Sequence, residues 1–241
     1  LRYTALSFDL DGTLVDTAGE IAHAANRALA EFGVPAQPQA LITRLIGGGT
    51  RQLMLSLRER VQPQLASPLT RLPAEELLAG FERHYSAIAG TIARPYEGCL
   101  PTLQRLHDAG VRLACITNKE GRYAARVLQG MGLEAYFGLL IAGDTLPYKK
   151  PDRRVIDHAL HAMQAQPKEF AHIGDSAIDI DTARNAGVAA WALPYGYNAG
   201  LPIEACAPDH LFRTLGDIAE HVLAQASSAP GAKTGATARH S

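Results

Sequence analysis

The chain has 241 residues, 47% of them hydrophobic and 20% charged, with a formal net charge of -1 at pH 7. That length suffices for a sizeable core in one or two domains. The near-neutral balance excludes the broad basic field that gathers nucleic acid or anionic lipid, so any anion binding must be local. The three cysteines, Cys99, Cys115 and Cys206, are far apart and form no C-x-x-C pair. This argues against a cysteine-based zinc site and fits a reducing cytoplasm. The chain begins at Leu1, with no charged segment followed by a cleavable apolar core,. No apolar run approaches the about 20 residues of a membrane span. The expectation is a cytoplasmic monomer or homodimer with neither nucleic acid nor membrane as partner.

Residues 3–9 read as a buried strand, because the apolar run from Tyr3 to Leu10 is short and runs into Asp9, Asp11 and Gly12. From Thr17 to about Phe32 the pattern becomes an alanine-rich helix with Ile21, Ala24, Ala25, Ala28 and Leu29 on one face,. Gly33 and Pro35 stop it,. A short helix over 39–46 breaks at Gly47-Gly48-Gly49, and helices resume at 50–61 and 74–89 around a connection marked by Pro63, Pro68 and Pro73,. Nothing between 17 and 90 reads as a strand.

Beyond Arg94-Pro95-Tyr96-Glu97-Gly98 the style changes. Strands at 111–116, 139–142, 170–173, 188–193 and 210–212 alternate with helices at 99–109, 119–130, 152–163, 177–186 and 215–223. Such alternation predicts an α/β fold: a Rossmann-like parallel sheet with helices on both faces, plus an all-helical insert after the first strand. The domains expected are an α/β core of residues 1–16 and 91–224 and a helical segment of residues 17–90. The tail, 225–241, lacks the apolar residues that offset ordering entropy and is expected to be flexible,.

In open parallel sheets ligands sit beyond the carboxyl ends of the strands, and four polar segments fall there. Asp9 and Asp11 are expensive to bury unless a cation, a proton or donors compensate them. The opening motif also reads as a simple Asp-Gly turn. A carboxylate can attack phosphorus and form an aspartyl phosphate, with a metal lowering the repulsion. Asp11 is placed to protonate a leaving oxygen, and Gly12 leaves room for phosphate near backbone N–H groups. Thr117 and Asn118, between a strand and a helix, suit an anion or serve only as an N-cap.

Lys150, or failing it Lys149, could neutralise phosphate. Asp9 and Asp175 suit magnesium, with a backbone carbonyl near Asp11 as a third ligand. Ser176-x-x-Asp179 resembles a capping box, which makes Asp179 a supporting residue rather than a ligand. These segments together predict a phosphoryl-transfer site closed by Mg2+.

Asp9-x-Asp11-Gly12-Thr13, Thr117 after a strand, Lys150-Pro151 and Gly174-Asp175-Ser176-x-x-Asp179 resemble the haloacid dehalogenase-like superfamily of phosphohydrolases. The resemblance implies Asp9 as nucleophile and Asp11 as acid/base. It implies that Thr117 and Lys150 hold phosphate, that Asp9, Asp11 and Asp175 ligate Mg2+, and that 17–90 is a cap. Gly143-Asp144-Thr145-Leu146-Pro147, Tyr195-Gly196-Tyr197-Asn198 and Ile46-Gly47-Gly48-Gly49-Thr50 look like the bacterial phosphoglycolate phosphatase group. That implies a small phosphorylated metabolite, 2-phosphoglycolate, as substrate.

For such a substrate Gly48 and its neighbours Gly47 and Gly49, with Arg51, are the cap candidates for a second anion; Arg44 is a weaker one. A helix break and a solvated face explain these residues equally well. Alternatives are a sugar or amino-sugar phosphatase, such as one for N-acetylmuramic acid 6-phosphate, a phosphosugar mutase, and a non-catalytic phosphate-binding module. Asp11 speaks against dehalogenation. The absence of lysine from residues 17 to 90 removes the amine that phosphonate cleavage by a Schiff base needs.

Overall fold

The computed structural model describes residues 1–65 and 71–224; the connection at Pro68 and the tail from 225 lie outside them. The chain opens with β1 (Ala5–Phe8), all four residues buried. A two-residue strand, β2 (Val15–Asp16), follows. Then come four helices: α1 (Ala18–Ala30), α2 (Gln39–Thr43), α3 (Thr50–Val61) and α4 (Ala74–Ile88). After β3 (Arg94–Pro95) the order is α5 (Cys99–Asp108), β4 (Arg112–Ile116), α6 (Gly121–Gly130), β5 (Leu139–Ile141) and α7 (Arg154–Ala162). The chain then forms β6 (Phe170–Gly174), α8 (Ala177–Ala186), β7 (Ala189–Ala192), β8 (His210–Leu211) and α9 (Leu215–Ala224).

Six strands form one sheet in the order β5-β4-β1-β6-β7-β8, parallel throughout. The fold is therefore α/β with helices covering both faces. Side chains alternate across it as the period of two requires. Leu6, Phe8, Leu113, Cys115, Ala171 and Ile173 join one hydrophobic cluster with α5, α6 and α9. Ala5, Ala114, Ile116 and Phe170 join the other, with α7 and α8. Burial on both faces explains why these strands read as continuous apolar runs.

The helical insert has its own cluster, including Ile21, Leu29, Leu53, Leu57, Leu77, Phe81 and Tyr85, and Tyr123 of α6 packs into it. Alanines at 24, 25 and 28 of α1 are fully buried there. The sequence reading did not anticipate β2 and β3, which pair antiparallel, Val15 with Pro95 and Asp16 with Arg94. This two-residue ribbon clamps both chain crossings into the insert. The chain moves outward from β4 to β5 one way and from β6 to β8 the other, so β1 lies at the reversal. Crevices at such reversals are where open α/β sheets bind ligands.

Candidate active site

Three neighbouring strands end in polar residues on the same side. Asp9 follows β1, and its N–H donates to Ile173 O at 2.9 Å. Thr117 follows β4 and donates likewise to Ile141 O at 2.9 Å. Asp175 follows β6. The backbones of Asp9 and Thr117 are thus fixed by the last rung of a buried ladder. Gly12 turns the chain with φ +90°, and a Cβ there would overlap the Asp175 carboxylate. A Cβ on Gly174 would likewise overlap Asp179. Glycine at these two positions lets the acids approach the backbone.

Asp9, Asp175 and Asp179 each bring a carboxylate oxygen within 4.8 Å of the others. Lys150 stands among them with its side chain 3% exposed, its Nζ 2.8 Å from Asp9 Oδ1 and 2.6 Å from Asp179 Oδ1. The Asp9 contact pairs the charges, yet that oxygen has no aligned hydrogen-bond donor. The Lys150–Pro151 peptide is cis. Asp175 accepts from Thr13 Oγ1 at 2.6 Å and from the Tyr197 N–H.

Asp179 Oδ2 accepts from Ser176 Oγ at 2.6 Å, within the capping box at the start of α8. Its Oδ1 also meets His172 Nε2 at 3.2 Å, while His172 Nδ1 meets Ser7 Oγ at 2.8 Å. A neutral imidazole donating to Asp179 and accepting from Ser7 satisfies both bonds. Sequence reasoning passed over His172. A polar residue in a strand buried on both faces needs a partner, and Ser7 is its register partner on β1.

The electrostatics follow from burial. Burial pushes the Asp9 carboxyl up to about 6; Lys150 opposes this, and Asp179 and Asp11 add to it. Asp175 is pushed well above the carboxylate range, first by burial and then by the charges of Asp179 and Asp9. Burial also disfavours the Asp179 anion, but Lys150 and His172 outweigh it and hold its carboxyl well below the usual range. Burial disfavours the Lys150 ammonium in turn, and Asp179 and Asp9 more than restore it. Burial lowers the His172 pKa, so the ring is neutral at pH 7. Three buried acids thus share one buried lysine and are short of positive charge. Hard oxygen donors in that condition fit a divalent metal ion.

Asp9, Asp11, Thr117, Asn118 and Lys119 line one cleft, roofed by Ile21, Ile46, Leu53, Phe81 and Tyr85 of the insert. Its free volume is ≈ 40 Å³, room for about three waters. Core side chains grip the glycine loop of the insert. Asn118 Nδ2 donates to Gly47 O at 2.9 Å, and Glu120 accepts from Thr50 Oγ1 at 2.6 Å. Gly48 accepts from Lys149 Nζ and does not line the cleft, whereas Gly47 and Gly49 do.

Arg51 is turned away. It pairs with Glu75 at 3.0 and 2.5 Å, with side chains 59% and 71% exposed. The buried stripe of α3 is Leu53, Met54, Leu57 and Val61. At 3.6 residues per turn Arg51 stands about 100° from its middle. Arg44 borders a separate recess with Tyr197 and Gly200. The cation that does face the cleft is Lys119. Its Nζ lies 3.0 and 2.9 Å from the two Asp11 oxygens and 4.9 Å from the centre of the Tyr85 ring.

Comparison with known proteins gives the family. Residues 6–193 match the model of the haloacid dehalogenase-like hydrolase family. A phosphoglycolate phosphatase of Thiobacillus denitrificans is 37% identical over 219 residues, covering 91% of this chain and 95% of that protein. One from Vibrio vulnificus is 36% identical over 224 residues, covering 92% and 96%. The crystal structure of a predicted phosphoglycolate phosphatase from Haemophilus somnus superposes with a TM-score of 0.88 at 29% identity, covering 92% of this chain and 99% of that one. With a matching family model over most of its length and relatives above 30% identity, the chain belongs to the haloacid dehalogenase-like hydrolase family.

Proposed function

We propose that this protein is a Mg2+-dependent phosphomonoesterase that works through an aspartyl phosphate and acts on 2-phosphoglycolate. The observation that carries the reading is the meeting of Asp9 and Asp175, at the ends of adjacent strands, with Lys150 from the loop before α7, and with Asp11 and Thr117 on the same cleft as Asp9. The names of the curated relatives support the choice of substrate.

In this reading Asp9 and Asp175, with the Asp11 carbonyl, hold the Mg2+, and Asp179 supports Lys150. The ion supplies charge neutralisation between the phosphate and the nearby acids. Asp9 attacks phosphorus, and Asp11 gives a proton to the leaving oxygen and later takes one from water. Thr117 and Lys150 bind the phosphoryl oxygens, with Asn118 and the Gly12 turn closing round them. Residues 17–90 act as a cap over a core of 1–16 and 91–224, excluding water from the intermediate. The apolar roof of Ile21, Leu53 and Phe81 suits a short substrate better than a hydroxyl-rich phosphosugar.

No helix among the described residues is long and apolar enough to cross a membrane. The proposal includes a cytoplasmic monomer or homodimer acting on a small metabolite. Phosphate release from 2-phosphoglycolate, N-acetylmuramic acid 6-phosphate and simple sugar phosphates, with and without Mg2+, tests the proposal. The expected result is Mg2+-dependent turnover with the highest kcat/KM for 2-phosphoglycolate. Absence of release from every phosphomonoester would leave a binding module in its place.

A further inference from the structure

We propose that Lys119 is the specificity residue for the second anionic group of the substrate, and that it reaches that group by moving off Asp11. The inference rests on the phosphomonoesterase reading above and deepens it. In a phosphorylated hydroxy acid the carboxylate is joined through one carbon to the oxygen that leaves phosphorus. Asp11 must meet that oxygen, so the carboxylate arrives beside Asp11. A cation is already there. Lys119 Nζ holds Asp11 Oδ1 at 3.0 Å and Oδ2 at 2.9 Å, with its side chain 4% exposed. Among the residues lining the cleft, Lys119 is the cationic one.

The ammonium carries three donors. Two go to Asp11, and the third has no hydrogen-bond acceptor among the described residues. A substrate carboxylate supplies one. The Asp11 oxygens are otherwise occupied, Oδ1 by Thr17 Oγ1 at 2.7 Å as well as by Lys119. Drawing Lys119 toward the substrate frees Asp11 Oδ2 to contact the leaving oxygen. A phosphomonoester without the carboxylate leaves the clamp in place and gains no such contact.

The other wall of the cleft is consistent with this selection. Ile21, Leu53 and Phe81 offer nothing to sugar hydroxyls, whereas the Tyr85 ring beneath the ammonium tolerates its displacement while keeping it over a π face,. Tyr85 is itself fixed, its OH donating to Glu20 Oε1 at 2.8 Å. Glu20 Oε2 accepts from the Gly90 and Ala93 N–H groups at 3.1 and 3.2 Å, where the chain leaves the insert. The platform under Lys119 is therefore tied to the second crossing, so closure of the insert and placement of the ammonium occur together.

The test compares 2-phosphoglycolate with ethyl phosphate, which differ at the carboxylate. Wild type, Lys119→Met and Lys119→Arg are assayed for kcat and KM on both. Lys119→Met is expected to reduce the preference for 2-phosphoglycolate by about 10- to 100-fold, the range for a lost charge-assisted hydrogen bond, through a higher KM for 2-phosphoglycolate and a higher kcat for ethyl phosphate, in whose complex Asp11 is no longer clamped. Lys119→Arg is expected to keep most of it.

Calorimetric binding of the two compounds to Asp9→Asn, with and without Lys119→Met, gives a readout independent of turnover; only 2-phosphoglycolate should weaken. Equal losses for both compounds, in turnover or in binding, would overturn the proposal and reduce Lys119 to a support for Asp11. If wild type releases phosphate from neither compound, the proposed function fails, and the binding comparison still decides the role of Lys119.

Discussion

Replacing Lys150 with methionine tests the charge balance from which the site is built. The side chain is almost wholly buried and pairs with two carboxylates, at 2.8 and 2.6 Å. Methionine fills the volume but leaves Asp9, Asp175 and Asp179 with no buried cation, since His172 is held neutral by burial. Removing one partner of a buried ion pair costs about 3–5 kcal/mol. At about 2–4 °C per kcal/mol for a chain of this size, Tm should fall by about 6–20 °C. Melting is followed by circular dichroism at pH 7.5 in EDTA, so that no divalent ion can replace the lost charge. Asp179→Asn on top of Lys150→Met removes one of the stranded anions and should recover part of the loss, with a coupling of about 1–3 kcal/mol. A Lys150→Met protein melting within about 2 °C of wild type would refute the picture of Lys150 as the counter-ion of this cluster.

The remaining predictions concern chemistry and access. Asp9→Asn should abolish phosphate release without unfolding the protein, because Lys150 keeps Asp179 as partner; wild-type turnover in this variant would remove Asp9 as nucleophile. Asp11→Asn should slow turnover by about 10²–10⁴-fold while phosphate binding persists, as read by single-turnover kinetics and calorimetry. Arg51→Ala breaks an exposed ion pair with Glu75 and should leave kcat/KM for 2-phosphoglycolate and Tm at wild-type values; a tenfold rise in KM would restore Arg51 as a substrate contact. Burial pushes the Cys99 thiol up to about 12 and the Cys115 thiol higher still, whereas Cys206 is half-buried. Ellman's reagent at pH 8 should therefore find one fast thiol in the native protein and all three in guanidinium.

How much was legible in the sequence depended on how far apart the partners of each residue lie. Strands buried on both faces need unbroken apolar runs, so β1, β4 and β6 stood out. Acids closing such runs have no inexpensive structural explanation, which is why Asp9 and Asp175 were readable as a site. The β2–β3 ribbon was illegible because its two-residue strands carry no pattern and Val15 finds Pro95 only across the whole insert. For Arg51 the sequence left a substrate contact and a solvated face equally open; the phase of Leu53, Met54, Leu57 and Val61 along α3 places it off the inner stripe,. Lys119 left a trace that went unused. A cation just before a helix start faces the positive end of the helix dipole, so a lysine two residues ahead of α6 needs an anion elsewhere to hold it. Asp11 is that anion. The same step applies across the cleft: each charge that opposes its local surroundings has its own partner from a distant segment, Lys119 before α6 in Asp11 and Asp9 at the end of β1 in Lys150. Each pair therefore forms only in the folded arrangement that brings these segments together.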